Sequence, residues 1–157
     1  MTIERSLTVG DVFETDIAMR WADSDMLRHL NNTGYFRFME EARIQFLAAA
    51  GLSATDADGN VVAHCSCDFV HPITYPATIR VRLTAQKIGR TSLTQYNELF
   101  VVHDLARGPY ARGTTVLVNM DAALNRPTPW SAPLLKALGQ VCRPAADFGT
   151  RADGTAS

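Results

Sequence analysis

Between Arg20 and Tyr35 the chain reads Arg-Trp-Ala-Asp-Ser-Asp-Met-Leu-Arg-His-Leu-Asn-Asn-Thr-Gly-Tyr. Two carboxylates (Asp23, Asp25), a histidine (His29) and two asparagines (Asn31, Asn32) crowd a junction. A strand-like pattern precedes it and an amphipathic helix pattern follows. The first turn of a helix carries backbone N–H groups with no intrahelical acceptor, and the helix dipole makes that end electropositive. A carboxylate beside such amides supplies both halves of an acyl-transfer centre. Its oxygen attacks a carbonyl or activates water, and the amide holds the oxyanion that forms. The same layout also serves as a plain helix cap, with the acid stabilised by the dipole by about 0.3–1 kcal/mol.

Other chemistries find less support. Asp23, Asp25 and His29 lack the further acid and the glycine of an EF-hand loop, and no metal is expected. The three cysteines, Cys65, Cys67 and Cys142, have no partner ligands at zinc spacing and read as reduced packing residues. The formal net charge is -1, and no basic stripe marks a nucleic-acid partner. No apolar run approaches the roughly 18 residues of a membrane span. No apolar signal segment follows Met1, so a cytoplasmic location is expected, and the Asn31-Asn32-Thr33 sequon carries no weight there.

The elements that must hold the junction follow from periodicity. Residues 12–21 alternate, with Phe13, Thr15, Ile17, Met19 and Trp21 on one face. From Thr33 to Ala50 the apolar residues Tyr35, Phe38, Met39, Ala42, Phe46 and Ala49 recur at steps of three and four. Phe36, Ile44 and Leu47 widen that stripe, which predicts a heavily buried helix about 27 Å long. Asn31, Asn32 and Thr33 are all candidate N-caps, and Gly51 closes the far end. A loop is expected over 53–60. Strands are expected over 61–70, 78–86, 92–102 and 110–121, the last two joined through Gly108-Pro109 as a hairpin. A short helix follows over 131–138. One strand, one buried helix and then a run of strands indicate an α+β domain: about five antiparallel strands wrapped around a long central helix. The domain is placed at 1–142, and the small, polar residues 143–157 are expected to form a disordered tail.

This order of elements resembles the hotdog fold. The run Asp23-Ser24-Asp25, then His29-Leu30-Asn31-Asn32 and Tyr35, resembles the 4-hydroxybenzoyl-CoA thioesterase-like acyl-CoA thioesterases. Asp68-Phe69-Val70-His71-Pro72 and the run from Lys87 to Leu93 are similar to later motifs of that family. The resemblance implies that Asp25 is the catalytic carboxylate and that the Asn32 N–H polarises the thioester carbonyl. It implies a homodimer or tetramer with sites at the subunit interface. The substrate would be a thioester of coenzyme A or of acyl carrier protein, with no separate cofactor. Arg28 departs from the family, standing where glycine is common, and Tyr75-Pro76 replaces a glycine-containing turn.

On this reading Asp25 either attacks the thioester carbonyl or deprotonates water, and the sequence leaves both open. His29 is placed in the site, lining it or orienting Asp25. Asp23 reads as a surface or hydrogen-bonding acid. Arg90 and Arg112 are candidates for the phosphates of coenzyme A. His64, Thr91 and Ser92 are further residues that could reach the site, and Glu40 and Glu41 are rival carboxylates on the helix. Two other functions stay in view. A hotdog hydratase would pair Asp and His five apart across an Asn-Pro, whereas Asp25 and His29 are four apart without one. A non-catalytic acyl-binding module would have no need of Asp25.

Overall fold

The computed structural model describes residues 4–52 and 59–148. The expected loop over 53–60 lies largely outside them. Strand β1 (Val12–Ala18) is followed by α1 (Asn32–Ala49), then β2 (Asn60–Phe69), β3 (Thr78–Ile88), β4 (Ser92–Val101) and β5 (Ala111–Asp121). A two-residue β6 (Arg126–Pro127) pairs with the end of β5, and α2 (Ala132–Gln140) comes last. The five long strands form one sheet in the order β1-β3-β4-β5-β2, every neighbour antiparallel. The sheet curls about α1, which is the expected hotdog arrangement.

Alternation drives the assembly. Ile79, Val81, Leu83 and Ala85 on β3 face inward, as do Leu93 and Leu99 on β4 and Leu117 on β5, all buried. They meet Phe38, Met39, Ala42 and Phe46 of α1, each almost wholly excluded from solvent. Burying each large side chain contributes about 1.5–3 kcal/mol. Polar Gln95, Asn97 and Thr115 interrupt this inner face, and the Asn97 amide donates to Thr115 Oγ1 at 2.8 Å.

The chain departs from simple alternation in three places. Trp21 was expected on the buried face of β1, but the strand ends at Ala18 and Trp21 opens a 3-10 turn, 77% exposed. Phe36 and Ile44, at the margin of the helical stripe, stand open to solvent, 37% and 49% exposed. In β2 a register shift between Val62 and His64 swaps the faces. Val61 therefore lies opposite to the face shared by Cys65, Cys67 and Phe69.

The two sheet edges differ. On β1, Val12 exchanges both backbone bonds with Arg143, at 2.8 and 2.9 Å. Residues 145–148 then form a 3-10 turn, and the Phe148 ring lies under Arg82 and Arg143. Residues 143–148, assigned by composition to a disordered tail, thus fasten this edge. The remainder of that tail lies outside the described residues. At the other edge, β2 runs ten residues with most side chains exposed.

Candidate active site

The junction after β1 is built around a buried carboxylate. Asp23 is 7% exposed. Its Oδ2 accepts the Arg20 N–H at 2.8 Å and Arg37 Nη2 of α1 at 2.8 Å, while Oδ1 accepts Arg20 Nη2 at 2.9 Å. Burial opposes ionisation here, but the bonds from Arg20 and the charge of Arg37 outweigh it and hold the carboxyl below the usual carboxylate range. The Asp23 carbonyl accepts the Asn31 N–H at 3.0 Å. Asp23 is therefore the hydrogen-bonding acid of the two sequence alternatives, and it lies inside.

From this anchor residues 24–30 fold into a closed loop. Ser24 and Leu30 form an antiparallel bridge. Within it the Asp25 N–H donates to the His29 carbonyl at 2.9 Å and the Arg28 N–H to the Asp25 carbonyl at 3.0 Å. Arg28 takes a left-handed conformation, φ 62°, which a glycine would adopt without strain. The Leu30 N–H donates to the Ile73 carbonyl at 2.7 Å and ties the loop to the chain beyond β2.

Asn31 proves to be the N-cap of α1. Its Oδ1 accepts the Thr33 N–H at 2.9 Å and its carbonyl accepts the Gly34 N–H at 2.8 Å. Asn32, the first helical residue, keeps an N–H with no acceptor among the described residues. Asp25 Oδ1 accepts the Leu27 N–H at 2.8 Å, and Oδ2 accepts nothing among the described residues.

Asp25, His29 and Asn32 line one cleft of about 320 Å³. Leu27, Leu30 and Tyr35 complete the near wall. The far wall is the end of β2 and the residues after it, Phe69, Val70, His71 and Pro72. The Tyr35 and Phe69 rings meet edge-on at 4.9 Å across the floor. Burial, with the nearby Asp25 charge adding to it, raises the Tyr35 phenol above its ordinary pKa.

The remaining candidates lie elsewhere in the chain. Arg90 is exposed in the turn between β3 and β4. Arg112 stands on the outer face of β5, in a separate groove of about 590 Å³ with Arg80 and Arg82. Neither lines the Asp25 cleft. His64 is exposed on the outer face of β2, and Thr91 and Ser92 sit at the start of β4. Glu40 is exposed, and Glu41 is engaged by Arg37 Nη1 at 3.2 Å. His71 was not singled out from the sequence. Its signal was its place in the Asp68-Phe69-Val70-His71-Pro72 run, to which the sequence alone assigns no role. The His71 ring packs edge-on against Tyr110 at 5.4 Å, and Tyr110 OH donates to Asp104 at 2.7 Å.

Residues 19–138 match the family described as the thioesterase-like superfamily. The chain belongs to that superfamily. Among solved structures, this thioesterase-like chain is similar to PA2801 of Pseudomonas aeruginosa, provisionally assigned as a thioesterase. Identity is 34%, with 77% of this chain and 93% of the other covered at a TM-score of 0.74. It shares its fold with Slr0204, a 1,4-dihydroxy-2-naphthoyl-CoA thioesterase from Synechocystis, at 19% identity, 81% and 95% coverage and a TM-score of 0.71. It is also 23% identical to the uncharacterized protein YsmA of Bacillus subtilis, over 76% of this chain and 80% of that protein. No helix among the described residues is long and apolar enough to cross a membrane.

Proposed function

We propose that this chain hydrolyses an acyl thioester to a free acid and a thiol, with Asp25 as the reacting carboxylate. One observation carries the reading: Asp25, with an uncommitted carboxylate oxygen, and Asn32, with an unclaimed helix-start N–H, line the same cleft. A thioester carbonyl placed against the Asn32 N–H has its oxygen polarised by that donor. One such donor lowers the barrier by about 3–4 kcal/mol in the oxyanion-like transition state. Asp25 Oδ2 then delivers either its own lone pair, giving an acyl-Asp25 anhydride that water cleaves, or accepts the proton of an attacking water. In both routes the C–S bond breaks and the thiolate leaves with the electron pair. In the general-base route water supplies the new oxygen of the acid; in the anhydride route, cleavage at the Asp25 carbonyl leaves an Asp25 oxygen in the acid and puts the water oxygen into Asp25. A thiolate is a good leaving group, so no strong acid partner is needed. The Leu27 N–H engages Oδ1 and leaves Oδ2 as the free oxygen. Thioester specificity fits the membership of the superfamily. The carrier is coenzyme A or an acyl carrier protein.

The functional unit on this reading is a dimer. The open β2 edge presents unpaired backbone groups, and Val61, Val62, Phe69 and Val70 are each 41–48% exposed along it. Phe36 and Ile44 of α1 are exposed as well. A second copy pairing along β2 covers this apolar surface. It also closes the cleft, whose far wall is the end of that strand.

The test is hydrolysis of a panel of acyl-CoA and acyl-carrier thioesters, followed by thiol release, with wild type, Asp25→Asn and Asp25→Ala. Turnover by the wild type and a loss of about 10²–10⁴-fold in both variants is expected. Unchanged turnover in the variants removes Asp25 from the mechanism. Ligand binding without turnover by the wild type makes the chain a binding module. Single-turnover hydrolysis in ¹⁸O-water separates the two chemical routes, because only an anhydride intermediate places label in Asp25.

A further inference from the structure

We infer that Asp23 and Arg37 form a positioning lock that sets the distance between Asp25 and the Asn32 N–H. The inference rests on the hydrolytic reading above. Asp23 holds both sides of the reacting pair at once. Its carboxylate grips Arg37 of α1 at 2.8 Å, so the loop is tied to the helix body. Its carbonyl grips the Asn31 N–H at 3.0 Å, so the loop is also tied to the helix cap. Asp25 is two residues from one anchor and Asn32 is next to the other. Movement of the loop along the helix axis breaks both ties together.

The lock continues down one flank of α1. Arg37 also donates to Glu41 Oε2 at 3.2 Å, and Gln45 donates to Glu41 Oε1 at 3.4 Å. Gln45 in turn bonds Thr15 of β1. Residues 37, 41 and 45 are spaced four apart, so they stack on one face of the helix. Asp23, Arg37, Glu41, Gln45 and Thr15 thus connect the catalytic loop, the helix and the strand in one chain of polar contacts. Such a chain fixes the helix axially as well as laterally. A displacement of about 1 Å at a reacting centre costs up to roughly 100-fold in rate, so this restraint acts on the chemistry and not only on folding.

The experiment compares Asp23→Asn, Arg37→Gln, the double variant and Arg37→Lys with wild type, each assayed below its own unfolding midpoint. Arg80→Gln, which cuts an ion pair with Asp16 on the outer face of the sheet, is the control. The single variants are expected to lose about tenfold or more in kcat with KM within about threefold. The double variant is expected to lose no more than the worse single, because both remove one lock. Arg37→Lys keeps the charge and is expected to recover most of the loss. Arg80→Gln is expected to match wild type. Hydrogen exchange at the Asn31 amide is expected to accelerate about tenfold in Asp23→Asn, measured by NMR. A kcat within about twofold of wild type for folded Asp23→Asn and Arg37→Gln overturns the lock, as does multiplicative loss in the double variant. If Asp23→Asn does not fold, Arg37→Gln and Arg37→Lys decide it, since Arg37 is one-third exposed. An inactive wild type refutes the hydrolytic reading, and unchanged Asn31 exchange then refutes the lock separately.

Discussion

That Asp25, His29 and Asn32 share one cleft was legible because they lie within eight residues of one another, so helix-start chemistry and local loop closure bring them close. His71 was not, because long-range ties, Leu30 to Ile73 and His71 to Tyr110, bring it into the same cleft. His71→Ala, which removes a polar side chain from the far wall, is expected to lower kcat/KM about two- to tenfold while Asp25 chemistry persists. Hydrolysis of the best substrate in the panel checks it. The thiols make a second residue-level case. Burial first, then the charges of Asp68 and Cys65, pushes Cys67 up to about 11. Burial, with Asp11 adding to it, pushes Cys142 up to about 12. Thiolate is the reactive form, so iodoacetamide at pH 8 is expected to leave both largely unmodified in the native protein. Mass spectrometry should show Cys142 alkylated promptly once urea unfolds the chain.

The elements were legible wherever one face is wet and the other dry. The bounds of α1 and of β3 to β5 fall within one or two residues of those expected from periodicity, because packing and pattern agree there. Alternation failed where a local event overrides it, at the Val62/His64 register shift and at the early end of β1 that turns Trp21 outward. The N-cap was narrowed to three candidates by composition, and only the Asn31–Thr33 bond selects Asn31. Asn31→Ala is expected to destabilise the fold by about 1 kcal/mol, read as a shift in the urea midpoint at constant m-value. Gly113 is bound by its neighbours: a Cβ there would lie 1.9 Å from the Ser66 carbonyl oxygen. Gly113→Ala is therefore expected to break the pairing of β2 with β5, seen as lost amide protection along β2. Acid acts on the same scale. Asp23 titrates lower folded than unfolded, so its contribution is complete above the unfolded carboxylate value near pH 4 and fades as pH falls through the folded one. Urea midpoints should hold from about pH 7 to 5 and drop below that, with a shallower drop in Asp23→Asn.

For the molecule as a whole, the fold class followed from one buried helix among strands, yet the strand order did not. That β1 lies beside β3, with β2 on the far edge, depends on which strand closes over each side of the helix. Alternation within a strand carries no such information. The order matters for assembly. Arg143 occupies part of the β1 edge, whereas β2 stays open and apolar. Replacing Val61 and Val62 together by lysine places like charges along any β2–β2 seam. Sedimentation velocity should then show a shift from dimer toward monomer, with hydrolysis falling in parallel if the partner completes the cleft. A wild-type monomer at micromolar concentration would count against that assembly.

The left-handed turn at Arg28 has a consequence for saturation libraries. Residues with no Cβ, or with a short amide that tolerates positive φ, enter that bend without distortion, whereas Val, Ile and Pro cannot. A deep mutational scan at codon 28 should therefore retain Gly and Asn beside Arg and deplete the branched and cyclic side chains. Size or charge would not predict that selection profile.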